Sequence, residues 1–280
     1  MTDGQFIVSG FADEISADLD EQLDVLESLG IAHLDLRGVE QTNVLDLSAD
    51  QIERISTELD RRGIGVTSIG SPIGKIPIED PFDPHFRRFE TAVERAEQFG
   101  TRYIRLFSYY MPDGDDPADH RDEVLRRMNR KAERAEEAGV VLLHENEKDI
   151  YGDTPERCLD LLQAVDSEHF RAIFDPANFL EIGVRPYPEA LLLLIEHVEQ
   201  LHIKDAKFGE RGEITPAGEG DGDITNTLEV LKKRGFRGAA SLEPHLMEAG
   251  SKGGFSGPEA YRVAAEALFA CFEEAGAAYE

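Results

Sequence analysis

A chain of 280 residues with 41% hydrophobic and 31% charged residues has enough apolar material for a sizeable core, which excludes a disordered chain and fits one domain over residues 1–280. Its 57 acidic against 29 basic residues leave a formal net charge of −28, which excludes nucleic acid as a partner, because affinity for a phosphate backbone comes from Lys and Arg. In molar salt such a carboxylate shell is screened and stays hydrated, so the balance reads as that of a halophilic, cytoplasmic protein.

In chain order, short β-rich runs alternate with amphipathic stretches. Strands are predicted at 6–11, 32–36, 65–69, 103–107, 140–145, 171–174, 200–203 and 239–242. Helices are predicted at 18–29, 48–62, 84–99, 118–138, 154–165, 186–197, 225–234 and 257–275. Ser48 with Gln51 three residues on reads as a helix start, while Gly30, Gly63, Gly100 and Gly139 stand where helices stop. Eight strands and eight helices give about 35 residues per unit, the size of a single-domain α/β (β/α)8 TIM barrel. No glycine-rich nucleotide fingerprint follows the first strand, which disfavours an open dinucleotide-binding sheet. The predicted insertions are 109–119 and 207–222. Cys158 and Cys271 have neither metal-ligand nor redox spacing, the start of the chain is polar, and no apolar block is long enough to span a bilayer. No membrane partner is expected.

Barrel chemistry sits at the C-terminal ends of strands. The last four strands each deliver one ligand-type residue there: Glu145, Asp175, His202 and Glu243, separated by 30, 27 and 41 residues. Alternation on the fifth strand puts Glu145 on the face of Val141 and Leu143, with His144 on the other. Three carboxylates and one imidazole make a hard, mainly oxygen site, suited to one divalent ion with room for two substrate oxygens. Mn²⁺ is the first expectation, with Mg²⁺, Co²⁺ or Zn²⁺ as alternatives. A single strand-end carboxylate is usually solvated or caps a helix, and Asp175 before Pro176 suits a turn. Four on consecutive strand ends point instead to a shared centre. On the early strands, Asp13, Glu14, Arg37, Glu40, Ser68, Ser71 and Arg105 are polar enough to line a pocket.

The segments LLHEN (142–146), FDPAN (174–178), LHIKDA (201–206), TPAGEGDGD (215–223) and SLEPH (241–245), in this order, resemble the xylose isomerase-like barrels. That family includes sugar isomerases, sugar 3-epimerases, hydroxypyruvate isomerases and inosose dehydratases. The resemblance implies metal ligation by Glu145, Asp175, His202 and Glu243, with Glu145 and Glu243 also moving the substrate proton as catalytic base and acid. A metal on a carbonyl and its neighbouring hydroxyl stabilises the enediolate, so a modest base suffices. Asn178 and Phe208 stand where the 3-epimerases carry a histidine and an arginine. The Lys204-Asp205 pair looks more like the inosose dehydratase and uncharacterised isomerase branches, where a lysine contacts substrate oxygens or helps expel water.

The expectation is therefore a metal-dependent isomerase or epimerase of a small sugar or sugar derivative. The alternative is a lyase or dehydratase acting on an inosose or keto sugar through the same site. Asn178, Lys204, His144, His245 and Glu14 are the substrate-contact candidates. An abasic-site endonuclease would need a basic groove, which the charge disfavours, and a non-catalytic sugar-binding barrel is the remaining class. Relatives in the family form homo-dimers and homo-tetramers, so the resemblance implies a homo-oligomer.

Overall fold

In the computed structural model, residues 5–209, 213–246 and 255–280 are described. The barrel strands are β1 (Gln5–Gly10), β2 (His33–Leu36), β3 (Gly65–Ile69) and β4 (Tyr103–Leu106), followed by β5 (Val141–Glu145), β6 (Phe170–Phe174), β7 (Val198–Ile203) and β8 (Arg237–Leu242). They pair in the order β2-β3-β4-β5-β6-β7-β8-β1, all parallel, so the sheet curls through chain neighbours into the expected barrel. At the seam, Ser9 Oγ on β1 donates to Asp35 Oδ2 on β2 at 2.8 Å. The C-terminal pair Ala278–Tyr279 adds to the outer end of β1, opposite Gln5 and Phe6.

Parallel strands are covered on both faces, which is why β5 reads as an unbroken buried run. Val141 and Leu143 pack inside the barrel with Ile173, whereas Leu142 joins the larger core between sheet and helices. The barrel interior also holds a polar layer: buried Asp35 accepts from Ser9, Ser68 and Gln200, and Gln200 donates on to Ser241 at 2.8 Å.

Outside lie α1 (Leu19–Ser28), α2 (Ala49–Arg62), α3 (Phe82–Gln98), α4 (Pro117–Ala138) and α5 (Pro155–Val165), then α6 (Pro176–Glu181), α7 (Leu191–Leu194), α8 (Ile224–Lys233) and α9 (Gly257–Ala275). The capping box of α2 forms as expected: Gln51 N–H donates to Ser48 Oγ at 3.3 Å and Ser48 N–H to Gln51 Oε1 at 3.0 Å. Gly63, at φ 69°, ends the helix in the left-handed conformation that glycine tolerates.

Three differences from the sequence expectations bear on the site. The helix expected at 186–197 is instead a π-helical turn, Pro186–Ala190, running into the short α7. Pro186 and Pro188 have no amide hydrogen to give an α-helical ladder, and the His197 carbonyl is taken by the Ala172 N–H of β6. The FDPAN segment starts a helix of its own, α6. Two small antiparallel pairs, Gly38–Val39 with Thr42–Asn43 and Asp205–Ala206 with Ile214–Thr215, build up the rim. Part of the insertion expected at 207–222, residues 210–212, lies outside the described residues.

Candidate metal centre and active-site cleft

Register carries the four strand-end residues to one height. Glu145 pairs across to Ile173, two residues before Asp175, and His202 pairs across to Ser241, two before Glu243. One ligand atom from each of Glu145, Asp175, His202 and Glu243 lies within 4.8 Å of the others, and all four side chains are buried.

The two oxygens of each glutamate face different neighbours. His202 Nδ1 is 3.2 Å from Glu145 Oε1 and 3.3 Å from Glu243 Oε2. The opposite oxygens belong to Arg105, whose Nη1 donates to Glu145 Oε2 at 3.2 Å and to Glu243 Oε1 at 3.4 Å. Arg37 Nη1 adds a further hydrogen bond to Glu243 Oε1 at 2.9 Å. Asp175 divides its oxygens similarly: Oδ1 accepts the Asn178 N–H at 3.0 Å and so caps α6, while Oδ2 faces the cluster, 3.0 Å from Lys204 Nζ. Its backbone is clamped by Asn146, whose side-chain amide donates to the Asp175 carbonyl and accepts its N–H, both at 2.9 Å.

These contacts set the electrostatics. Burial pulls the His202 pKa down, but Glu145 and Glu243 outweigh it and raise it to about 10. Burial pushes Glu145 up, yet His202 and Arg105 bring it to about 2, and Glu243 is likewise held well below the carboxylate range by His202 and His245. Asp175 is pushed up to about 6 by burial, against the pull of Lys204. The cluster thus holds a proton on His202 where a cation would sit between carboxylates. Asp175 Oδ2, Glu243 Oε2 and both His202 nitrogens are buried without a hydrogen bond, so the donor set fits a divalent ion.

Phe11 forms the floor. The His202 ring meets it edge-on at 5.0 Å, and the Arg37 and Arg105 guanidiniums lie 4.7 and 4.8 Å from its centroid. Gly70 is required beside it: a Cβ there would come within 2.8 Å of the Phe11 ring, and the Gly70 carbonyl accepts from Arg105 at 3.2 Å. Above opens a cleft of about 650 Å³, lined among others by Asp13, Arg37, Lys75, Glu147, Lys204 and His245.

Of the substrate-contact candidates, Lys204 and His245 line this cleft. Asn178 stands behind Lys204, accepting its ammonium at 2.8 Å, and Glu14 is buried beneath His245. His144 is not brought there: it turns to the outer face of β5, 3.0 Å from Ser108 Oγ and packed on Phe170. Asp13, Arg37, Glu40 and Arg105 reach the cleft, whereas Ser68 bonds Asp35 and Ser71 holds the Arg105 carbonyl. Sequence reasoning missed Lys75 and Glu147, paired across the cleft at 2.9 Å. Glu147 follows Glu145 by two residues, so alternation offered a signal for it; Lys75 sits in a loop and offered none.

The TPAGEGDGD segment folds over Asp205, whose carboxylate accepts four backbone N–H groups, from Ala206, Gly218, Gly220 and Gly222, at 2.8–3.1 Å. Its glycines leave room for that carboxylate: a Cβ on Gly220 or Gly222 would fall 2.2 or 2.6 Å from Asp205 Oδ1.

Known structures share this architecture. The probable 3-DHS dehydratase AsbF of Bacillus anthracis, involved in petrobactin synthesis, is 18% identical with TM-score 0.74, over 95% of this chain and 98% of its own. A xylose isomerase-like TIM barrel protein of Mycobacterium smegmatis in complex with magnesium is 19% identical with TM-score 0.71, over 97% and 96%. The D-psicose 3-epimerase of Clostridium cellulolyticum H10, with D-tagatose, is 15% identical with TM-score 0.68, over 97% and 98%. At these identities the likeness is one of fold. No curated protein matches the sequence. The family model of the xylose isomerase-like TIM barrel matches residues 23–273, nearly the whole chain, and the protein belongs to that family.

Proposed function

We propose that the protein is a divalent-metal-dependent enzyme that removes the proton α to the carbonyl of a small keto sugar or related polyol and returns it elsewhere, isomerising or epimerising its substrate. The observation that carries this reading is the pairing of Glu145 and Glu243 around one cluster, each with one oxygen toward His202 and the other on Arg105. An ion held by Glu145, Asp175, His202 and Glu243 supplies Lewis acidity, polarising a carbonyl and offsetting the charge left by proton removal. Mn²⁺ is our first choice for this mainly oxygen site.

The side chains do the rest. Glu145 and Glu243 act as base and acid: one, held ionised, takes the α-proton, and the other, once it has picked up a proton from water in the cleft, delivers one to the enediolate. Arg105 bridges them and fixes their orientation, while Arg37 secures Glu243 from the far side. Lys204 and His245, both facing the cleft, bind substrate oxygens, and Asn178 orients the Lys204 ammonium. The four clustered side chains are buried around Phe11, and Glu145 and Glu243 meet substrate through the cleft above them.

Lys204 favours a second outcome. Its ammonium, 3.0 Å from Asp175 Oδ2 and held charged by the surrounding carboxylates against burial, would hydrogen-bond a departing hydroxyl and support its loss, which turns the same α-deprotonation into dehydration of an inosose or keto sugar. One experiment separates the outcomes: incubation with Mn²⁺ in D₂O across a panel of ketoses and inososes. Deuterium at carbon without loss of water supports isomerisation or epimerisation, whereas an unsaturated product supports elimination. Glu145→Gln and Glu243→Gln are each expected to lower either signal at least about 100-fold. A rate unchanged by chelation, or by both substitutions, overturns the proposal.

A further inference from the structure

The basic side chains that line the cleft, Arg37, Lys75, Arg105 and Lys204, are each already matched by carboxylate. Arg37 meets Asp13 at 2.7 Å and Glu243 at 2.9 Å, and Arg105 bridges Glu145 and Glu243. Lys204 lies 3.0 Å from Asp175, and Lys75 lies 2.9 Å from Glu147. Among the described residues, no lysine or arginine lining the cleft is left to neutralise a phosphate or carboxylate on a substrate. The Arg37, Arg105 and Lys204 pairs brace the metal cluster. The Lys75–Glu147 pair does not, and the chemistry above leaves it unexplained.

Both partners of that pair are held in place. Gly74, at φ 94°, lets the loop between β3 and α3 lie against the backbone beyond β4, where a Cβ would run into the Phe107 carbonyl. The Phe107 N–H donates to the Ile73 carbonyl at 2.7 Å and the Tyr109 N–H to the Gly74 carbonyl at 3.0 Å, which pins the loop. Lys75 then stands over the Phe107 ring, its Nζ 4.2 Å from the centroid. Glu147 accepts the Lys148 N–H on Oε1 and the Lys75 ammonium on Oε2, both at 2.9 Å. Only Asn146 separates Glu147 from Glu145, so the pair adjoins the cluster.

We propose that Lys75 and Glu147 form a subsite that binds a hydroxyl of the substrate's carbon chain and restricts the site to uncharged polyhydroxy ketones, against phosphorylated sugars and sugar acids. An ammonium has three donors and a carboxylate about four acceptor positions, and each partner here has spent only part of its capacity. A hydroxyl donates to Glu147 and accepts from Lys75 without breaking their pair. A carboxylate or a phosphate dianion only accepts, so it takes hydrogens from Lys75 while setting its own charge against Glu147. Displacing Glu147 instead would strand a carboxylate that is only 16% exposed without its cation.

The inference rests on the reaction proposed above for the keto-sugar class, and binding tests it without turnover. The Mn²⁺-loaded protein is titrated calorimetrically with D-ribulose and D-fructose, then with D-ribulose 5-phosphate, D-fructose 6-phosphate and D-fructuronate, whose charges lie at the end remote from the carbonyl. A neutral ketose is expected to bind at least about tenfold more tightly than its charged counterparts. Glu147→Gln keeps the shape and removes the charge, so that preference is expected to shrink by about fivefold or more. Lys75→Met is expected to weaken the neutral ketose by about tenfold or more through the lost charged donor. Equal or tighter binding of the charged sugars, or affinities untouched by both substitutions, overturns the subsite and leaves the proposed reaction standing. Neutral-selective binding with no deuterium exchange in the panel above does the reverse. Absence of binding by all of these sugars overturns the subsite as well. Should Glu147→Gln lose its native circular dichroism, Lys75→Met decides alone, because the Lys75 side chain is 32% exposed.

Discussion

In the proposed metal site, His202 is the residue at which a proton and a cation would compete. With its pKa raised to about 10 by Glu145 and Glu243, it carries a proton at neutral pH that ligation must displace. Metal affinity is therefore expected to climb as pH rises from 6 to 9, approaching tenfold per unit, as each step makes that proton easier to remove. Calorimetric titration with Mn²⁺ in two buffers of different ionisation enthalpy checks this: about one proton should be released per ion at pH 7. Proton uptake, or a pH-independent affinity, contradicts the assignment. A different residue carries a stability cost. Lys131 on α4 is fully buried with no hydrogen bond, its Nζ 4.6 Å from the centre of the Tyr109 ring, and burial with Arg127 nearby pulls its pKa from 10.5 to about 7. Between those values the unfolded chain holds a proton that the folded chain lacks, so this group makes stability rise with pH from 7 to 10.5 and is fully unfavourable below 7. Lys131→Met is expected to raise stability at pH 7 by about 2–4 kcal/mol and to flatten that slope in urea denaturation at several pH values.

At the scale of elements, the strand ends are held by short segments whose job is positional. Asp205 collects four backbone N–H groups and ties Ala206, Gly218, Gly220 and Gly222 down beside Lys204. Asp205→Ala leaves those donors without their acceptor, so limited proteolysis should cut within 206–222 first while the barrel's circular dichroism stays native. Resistance equal to the wild type refutes that role. The same elements explain what was legible in the sequence. Glu145, Asp175, His202 and Glu243 were readable because apolar runs mark the strands and one ligand-type residue ends each. Asp175 was also readable as a turn former, and it serves both purposes, one oxygen capping α6 and the other facing the cluster. His144 was separable by alternation, which puts it on the opposite face from Glu145. The break at 186–190 was hidden because Leu191 to Ile195 is apolar throughout and masks the effect of two prolines. The rim hairpins have two-residue strands, too short for any period to register. Lys75 reaches Glu147 through a loop, a contact that only tertiary structure creates.

At the scale of the whole molecule, the net charge of −28 is the dominant long-range term. The arginines are heavily committed: Arg62 alone contacts Asp20, Asp24, Glu27 and Glu58, and Arg121 meets Asp160. Such exposed pairs contribute about 0–1 kcal/mol each and weaken as salt screens them. Repulsion among the remaining carboxylates is screened by the same salt, and with 57 acids to 29 bases at least 28 carboxylates are left without a basic partner of their own. Screening should therefore stabilise the fold on balance. Thermal unfolding followed from low salt to 3 M KCl is expected to show Tm rising by about 10 °C or more, with most of the rise below 1 M, where the Debye length shrinks from about 10 to 3 Å. A rise that instead continues linearly to 3 M would assign the effect to salt exclusion from the protein surface rather than to charge, because screening saturates and exclusion does not. A Tm that falls with KCl would mean that the arginine pairs outweigh the repulsion, and the halophilic interpretation of the composition would have to be abandoned.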